Sequence, residues 1–138
     1  MTAYQLAIVS AGVFFLNALL TGVWKYRQIA ASDQARAHPY VDIAHRASLM
    51  YSFAALLVAT FVEISQLPNK IEFVATFFLV IYFAMAIISY MVQGFLKKTE
   101  NQFINAPLIF GWFMWSLIIA EIGGFCVLLF GVITAIFE

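Results

Sequence analysis

Residues 73–95 read FVATFFLVIYFAMAIISYMVQGF, a run with no Asp, Glu, Lys, Arg or His. A helix rises about 1.5 Å per residue, so about 20 such residues cross the hydrocarbon core of a bilayer. The run therefore predicts a membrane-spanning helix, and three further segments meet the same test. Leu6 to Trp24 is interrupted only by Ser10, Asn17 and Thr21, and Ala47 to Leu67 belongs to a helix expected to begin near Pro39. Pro107 to Phe137 exceeds what the bilayer demands, which predicts tilt or an extension into the headgroups. The fold class is all-α, an integral membrane bundle of four transmembrane helices at about 6–24, 39–67, 71–96 and 107–137 of a single domain, 1–138.

Composition agrees. Of 138 residues, 64% are hydrophobic and 10% charged, against about 45–50% and about 25% in soluble domains. A small soluble domain leaves too much surface exposed to hide this apolar content. Seven basic and seven acidic residues cancel, so no electrostatic footprint for nucleic acid exists. The single cysteine, Cys126, excludes an internal disulfide and a cysteine-based metal site within one chain, and its apolar context predicts a small buried hydrophobe. The first segment has no basic leader and no clear cleavage site, so it is read as a retained helix rather than a signal peptide.

Basic residues set the expected orientation. Lys25, Arg27, Arg36 and Arg46 lie in or near the first loop and Lys97 and Lys98 in the third, with only Lys70 opposite. Trp24, Tyr26, Trp112 and Trp115 cluster on the basic side as an interfacial belt. The basic loops are expected to face the cytoplasm with both termini outside. Pro39 suits the first turn of helix two. Asn69 and Glu72 read as a capping box for helix three, and Pro107 opens helix four. The short connection between helices two and three makes them antiparallel neighbours. Ser116, Ala120 and Gly124, widened by Gly123 and Gly131, form a small-residue ridge that suits a tight helix pair or a subunit contact.

Both histidines fall in Ala35-Arg36-Ala37-His38-Pro39-Tyr40-Val41-Asp42-Ile43-Ala44-His45-Arg46. Helical periodicity brings His45 back almost under His38, with Asp42 near the same face, where a carboxylate can accept an imidazole N–H and orient the ring. Headgroup contacts for the histidines and a surface ion pair between Asp42 and Arg46 are the plain alternatives. Imidazole is a common axial ligand of haem, and aromatic and apolar residues to line a porphyrin pocket abound. Two histidines on one face of one helix cannot clamp a haem from both sides. A haem here has one histidine ligand and an open or non-histidine sixth position, or it is shared between subunits. Glu121 falls near the middle of helix four, where a lone charge is expensive, so it is neutral or paired toward the bundle. Glu63 reads as interfacial. Tyr82 and Tyr90 lie eight residues apart on helix three, as core or belt residues in isolation.

On these residues the chain resembles the styrene oxide isomerases, small bacterial four-helix membrane proteins that bind haem b at the contacts of a trimer. That family converts aryl epoxides to aldehydes with ferric iron as Lewis acid. Ala35-Arg36-Ala37-His38 looks like the family segment bearing the axial histidine, Tyr90 takes the place of a substrate-positioning tyrosine, and the order of the helices agrees along nearly the whole chain. The family has an asparagine where Ala44 stands and an aspartate where Tyr82 stands, and its first loop is longer. The resemblance implies His38 as iron ligand, with Arg36, Asp42 and Arg46 as neighbouring cofactor contacts. It implies Tyr90 as a substrate residue, with Tyr82 and His45 as candidate substitutes for the missing polar groups. The expected partners are the bilayer, a small apolar substrate and further copies of the chain in a homo-oligomer, a trimer by resemblance. The alternatives are a haem carrier or electron-transfer cytochrome, and a small proton-coupled transporter using Glu121.

Overall fold

The chain folds into four long helices, α1 (Ala3–Ala30), α2 (Pro39–Ile64), α3 (Asn69–Leu96) and α4 (Leu108–Phe137). The structure is a computed structural model that describes residues 1–101, 103–104 and 107–137. All four helices are long and apolar enough to cross a membrane, and no strand occurs among the described residues. The chain is an all-α, membrane-spanning bundle.

Helix ends differ from expectation where side chains carry the helix past the apolar run. A capping box starts α1 early: Thr2 Oγ1 accepts from the Gln5 amide at 3.2 Å and Gln5 Oε1 accepts from the Thr2 amide at 3.0 Å. Beyond Trp24, Lys25 and Arg27 extend α1 to Ala30, because long basic side chains reach water while their stems stay apolar. The second helix ends at Ile64, not Leu67, where Ser65 turns extended at φ −62° and ψ 145°. The capping box expected from Asn69 and Glu72 does not form. Asn69 is already helical, Pro68 holds the cap position, and its carbonyl accepts from the amides of Ile71 (2.8 Å) and Glu72 (3.3 Å). With those amides satisfied, the Glu72 side chain turns inward and is buried. Pro107 lies just outside α4, its carbonyl accepting from the Phe110 amide at 2.9 Å.

Successive helices are antiparallel neighbours. Asn17 meets Ser48, Tyr51 stacks on Phe83, and Tyr82 meets Ser116. The connection at residues 65–68 permits nothing else for α2 and α3. These two are the central pair; α1 packs on one side and α4 on the other, and among the described residues α1 and α4 make no close backbone approach. Both termini therefore share an end with the α2–α3 turn and Lys70, while the remaining basic residues gather at the opposite end.

The α1–α2 contact is a polar seam set in small side chains. Ala3, Ala7, Ser10, Phe14, Ala18 and Thr21 are the buried face of α1, at three- and four-residue steps. Along this face Lys25 pairs with Asp42 (2.6 Å), His45 Nδ1 bonds the Ala18 carbonyl (2.8 Å), and Asn17 Nδ2 donates to Ser48 Oγ (2.8 Å). Gly22 leaves room for the His45 ring: a Cβ there would sit 3.1 Å from Cε1. Asn17 also reaches Met91 Sδ at 3.5 Å, tying in α3. Deeper, Phe14, Val58, Leu79, Phe83 and Leu128 form the apolar core.

The ridge on α4 makes an intrachain pair in part. A Cβ on Gly124 would lie 3.2 Å from the Ala75 carbonyl, and one on Gly131 would collide with Ser65 Oγ and Leu67. Yet α4 is the least enclosed helix, with 17% of its apolar window buried against 44% for α3. Its outer face is apolar, as lipid requires, and Cys126 lies on the exterior of the bundle rather than in the core.

Replacing Asn17 by leucine removes hydrogen bonds that hydrocarbon cannot replace, and is expected to lower stability by about 0.6–2 kcal/mol. Leu20→Ala on the lipid face (61% exposed) is the control and is expected to change little. Loss of helicity against denaturing detergent in mixed micelles reads both, and equal effects would contradict the seam.

Candidate functional site

The basic end carries most of the sequence-predicted site. Positive φ at Ala35 (50°) turns the chain just before Arg36, and the Ala35 amide donates to the Ser32 carbonyl at 3.0 Å. This turn delivers His38 to the head of α2, where it is the N-cap rather than part of the helix. The His38 amide donates to Gln28 Oε1 (2.9 Å), and His38 Nδ1 accepts from the Tyr40 amide (3.3 Å). Its Nε2 has no hydrogen-bond partner among the described residues. The ring borders a cleft of about 560 Å³ with Gln28, Arg36, Lys97 and Glu100. Roughly one turn further into the bilayer on α1 and α3, Trp24, Met91, Phe95 and Leu96 line an apolar cleft of about 580 Å³.

His38 is linked to Tyr90 by aromatic stacking. His38 and Tyr40 have ring centroids 6.1 Å apart, and Tyr40 and Tyr90 6.2 Å apart at 18° between planes. Tyr40 is buried, so it stands between the two as a fixed spacer. Tyr90 opens on a different cleft, of about 620 Å³, with Ile43, Arg46, Ala47, Met50 and Tyr51. The buried Oε1 of Glu121 on α4 has no partner among the described residues. Of the two alternatives expected for Glu121, neutral or paired toward the bundle, the pairing is not made by this oxygen among the described residues.

Other expected members sit elsewhere, for local reasons. His45 does not share a free surface with His38: its ring lies against Gly22 and the Ala18 carbonyl, inside the α1–α2 seam. Asp42 orients neither imidazole, because Lys25 at 2.6 Å and Arg46 at 2.9 Å take its two oxygens. Each side chain of the Lys25 pair is about a third exposed (31% and 29%), so its worth is small and its effect is chiefly positional. Tyr82 donates to Ser116 Oγ at 3.0 Å in the α3–α4 groove, facing α4 rather than Tyr90's cleft. Glu63 is exposed at the far end of α2. Ala44, where the resemblance would place asparagine, is 0% exposed and belongs to packing.

Tyr40 and Tyr51 are the site members that sequence reasoning passed over. Their spacing from Tyr90 crosses helices, and the only local signal is that each tyrosine interrupts an apolar face. No protein-family model, curated protein or solved structure matches the chain.

Tyr82→Phe and Ser116→Ala are each expected to destabilise by about 1 kcal/mol, with the double variant little worse than either single one. A double-mutant cycle in detergent checks this, and additive losses would mean that the two hydroxyls do not act together.

Proposed function

We propose that this chain is a haem b-binding membrane protein of the styrene oxide isomerase type, with His38 as iron ligand. The observation that carries the reading is a histidine with an uncommitted Nε2 at a cleft whose charged edge holds two cations, Arg36 and Lys97, against one carboxylate, Glu100. Guanidinium and ammonium groups suit the carboxylates of a porphyrin edge. The apolar cleft of Trp24, Met91 and Phe95 suits its ring. The fit has one condition. A neutral imidazole that accepts at Nδ1 carries its proton on Nε2, so coordination through Nε2 moves the proton to Nδ1. The long 3.3 Å bond to the Tyr40 amide is then given up, at a cost of about 1 kcal/mol for a lost cap.

Ferric haem supplies a Lewis acid that polarises an epoxide oxygen. The protein's own part is binding and orientation. Apolar walls at Ile43, Ala47 and Met50 take a small apolar epoxide from the bilayer and keep water from an electron-poor carbon. Tyr90, held by stacking on Tyr40, directs its hydroxyl at the substrate. His38 and Tyr90 open on different clefts of one chain, so a site using both is completed by a second copy. That agrees with the homo-oligomer, a trimer by resemblance. The exposed apolar flank of α4 offers surface for it.

A second reading, a haem carrier or electron-transfer cytochrome without a substrate, draws on a specific observation. Ala44 is sealed in packing and Tyr82 is bonded to Ser116, so neither replaces the polar substrate groups of the resembling family.

Ultraviolet–visible spectra of purified protein, ferric and reduced, are expected to show a Soret band that His38→Ala abolishes while helicity is kept. A high-spin ferric form perturbed by styrene oxide supports the isomerase, with turnover falling about 10²-fold or more in Tyr90→Phe if its hydrogen bond acts in the transition state. A low-spin form indifferent to epoxide supports the carrier. Protein that stays colourless with haem added would sink both readings and leave the Glu121 carboxyl to pursue as a proton-coupling group.

A further inference from the structure

Two phenol hydroxyls and one guanidinium line the cleft of about 620 Å³ onto which Tyr90 opens. Tyr51 on α2 and Tyr90 on α3 are half-buried, and each ring is held by another. Tyr51 stacks on Phe83 with centroids 4.3 Å apart, and Tyr90 stacks on Tyr40 at 6.2 Å. Neither hydroxyl has a hydrogen-bond partner among the described residues, and neither oxygen is sealed inside the bundle. Tyr82 shows the contrast, because its hydroxyl is already committed to Ser116. A phenol hydroxyl in apolar surroundings ordinarily finds a partner, so this pair is left for something that enters the cleft.

Arg46 supplies the charge. Its Nη2 holds Asp42 Oδ2 at 2.9 Å, and its other N–H groups have no partner among the described residues. Asp42 is shared with Lys25 at 2.6 Å, so the three side chains together carry one net positive charge. No carboxylate lines the cleft, Glu121 included. The guanidinium repels an ammonium head, and a neutral ligand leaves its charge unmatched. A carboxylate is planar, offers two oxygens to the guanidinium fork and accepts further hydrogen bonds from phenols. A monoanion also matches the single net charge. The remaining walls, Ile43, Ala47, Leu49 and Met50, are apolar and ask for an apolar body. The volume lies in the range that takes a small organic molecule.

We propose that Arg46, Tyr51 and Tyr90 bind the carboxylate of a small organic acid whose apolar body lies against Ile43, Ala47 and Met50. The acid and an epoxide compete for Tyr90, but the acid site uses neither His38 nor haem.

Calorimetric titration of the purified protein in nanodiscs of zwitterionic lipid tests this, with benzoate and its neutral and cationic counterparts benzamide and benzylamine. Benzoate is expected to bind at least about tenfold more tightly than either, as a charge-assisted pair implies. Arg46→Gln is expected to remove that preference, and Tyr51→Phe and Tyr90→Phe each to weaken benzoate a few-fold. His38→Ala is expected to keep the preference, which separates this site from the haem reading. If Arg46→Gln does not fold by circular dichroism, the discrimination among the three ligands and the two phenol variants decide. Equal binding of benzoate and benzamide, or no binding, overturns the proposal. Benzoate binding that needs Arg46 and is unchanged in both phenol variants is an interfacial arginine meeting an anion outside the cleft, and overturns it too. Benzoate that shifts a Soret band and is lost in His38→Ala is coordination to iron; it overturns the proposal while leaving the haem reading standing.

Discussion

The polar seam between α1 and α2 is the constraint on which the other contacts depend. In hydrocarbon, lipid tails compete well with apolar side chains, so helices associate through close packing and hydrogen bonds rather than hydrophobic burial. Lys25 with Asp42, His45 with the Ala18 carbonyl, and Asn17 with Ser48 repeat along one line. Each contact fixes the rotation and the height of α2 against α1. Asn17 then reaches Met91 and sets the height of α3 as well. A slip of one residue would put all these polar groups against lipid, so the register is specified far more sharply than leucine against leucine could specify it.

That same seam separates the two histidines in space. It takes His45 into the helix contact and Asp42 into ion pairs, and it leaves His38 at the head of α2 with one ring nitrogen uncommitted. The tyrosine series continues from there. Tyr40 is held in the core by its neighbours and fixes the distance between His38 and Tyr90. The bundle thus has a polar track at its basic end, Tyr51 and Tyr90 on one cleft further in, and the buried Glu72 at the opposite end. These groups have apolar surroundings, and their positions are set by packing rather than by water.

The helices were legible because hydropathy over about 20 residues is a collective property that no single contact can overturn. Their ends were less so. Thr2 with Gln5 is a capping box that lies outside the apolar run, whereas Asn69 with Glu72 has the right letters but loses to Pro68, whose carbonyl already serves the first amides. The place of His38 at the head of α2 was readable from its position before Pro39. The use of His45 was not, since its partner is a backbone carbonyl and only Gly22, one helical turn away on α1, marks the space its ring fills. Cys126 was assigned to the interior because apolar context on α4 does not distinguish lipid from core. Tyr82 and Tyr90 share a helix, but Ser116 and Tyr40 draw them to different neighbours, and such cross-helix choices leave no local pattern.

Among the described residues α1 and α4 make no close backbone approach, and this bears on how the protein is made. Helices leave the insertion machinery in chain order, and the first three already contain the seam, the Asn17–Met91 link and the histidine head. They can settle into their final arrangement while the fourth is still being synthesised. The last helix then needs only to find a groove already formed by α2 and α3, with Gly124 and Gly131 as its seats. Biogenesis in this order never exposes an unpaired Asn17 to lipid for longer than the synthesis of one loop and one helix takes, because Ser48 lies on α2.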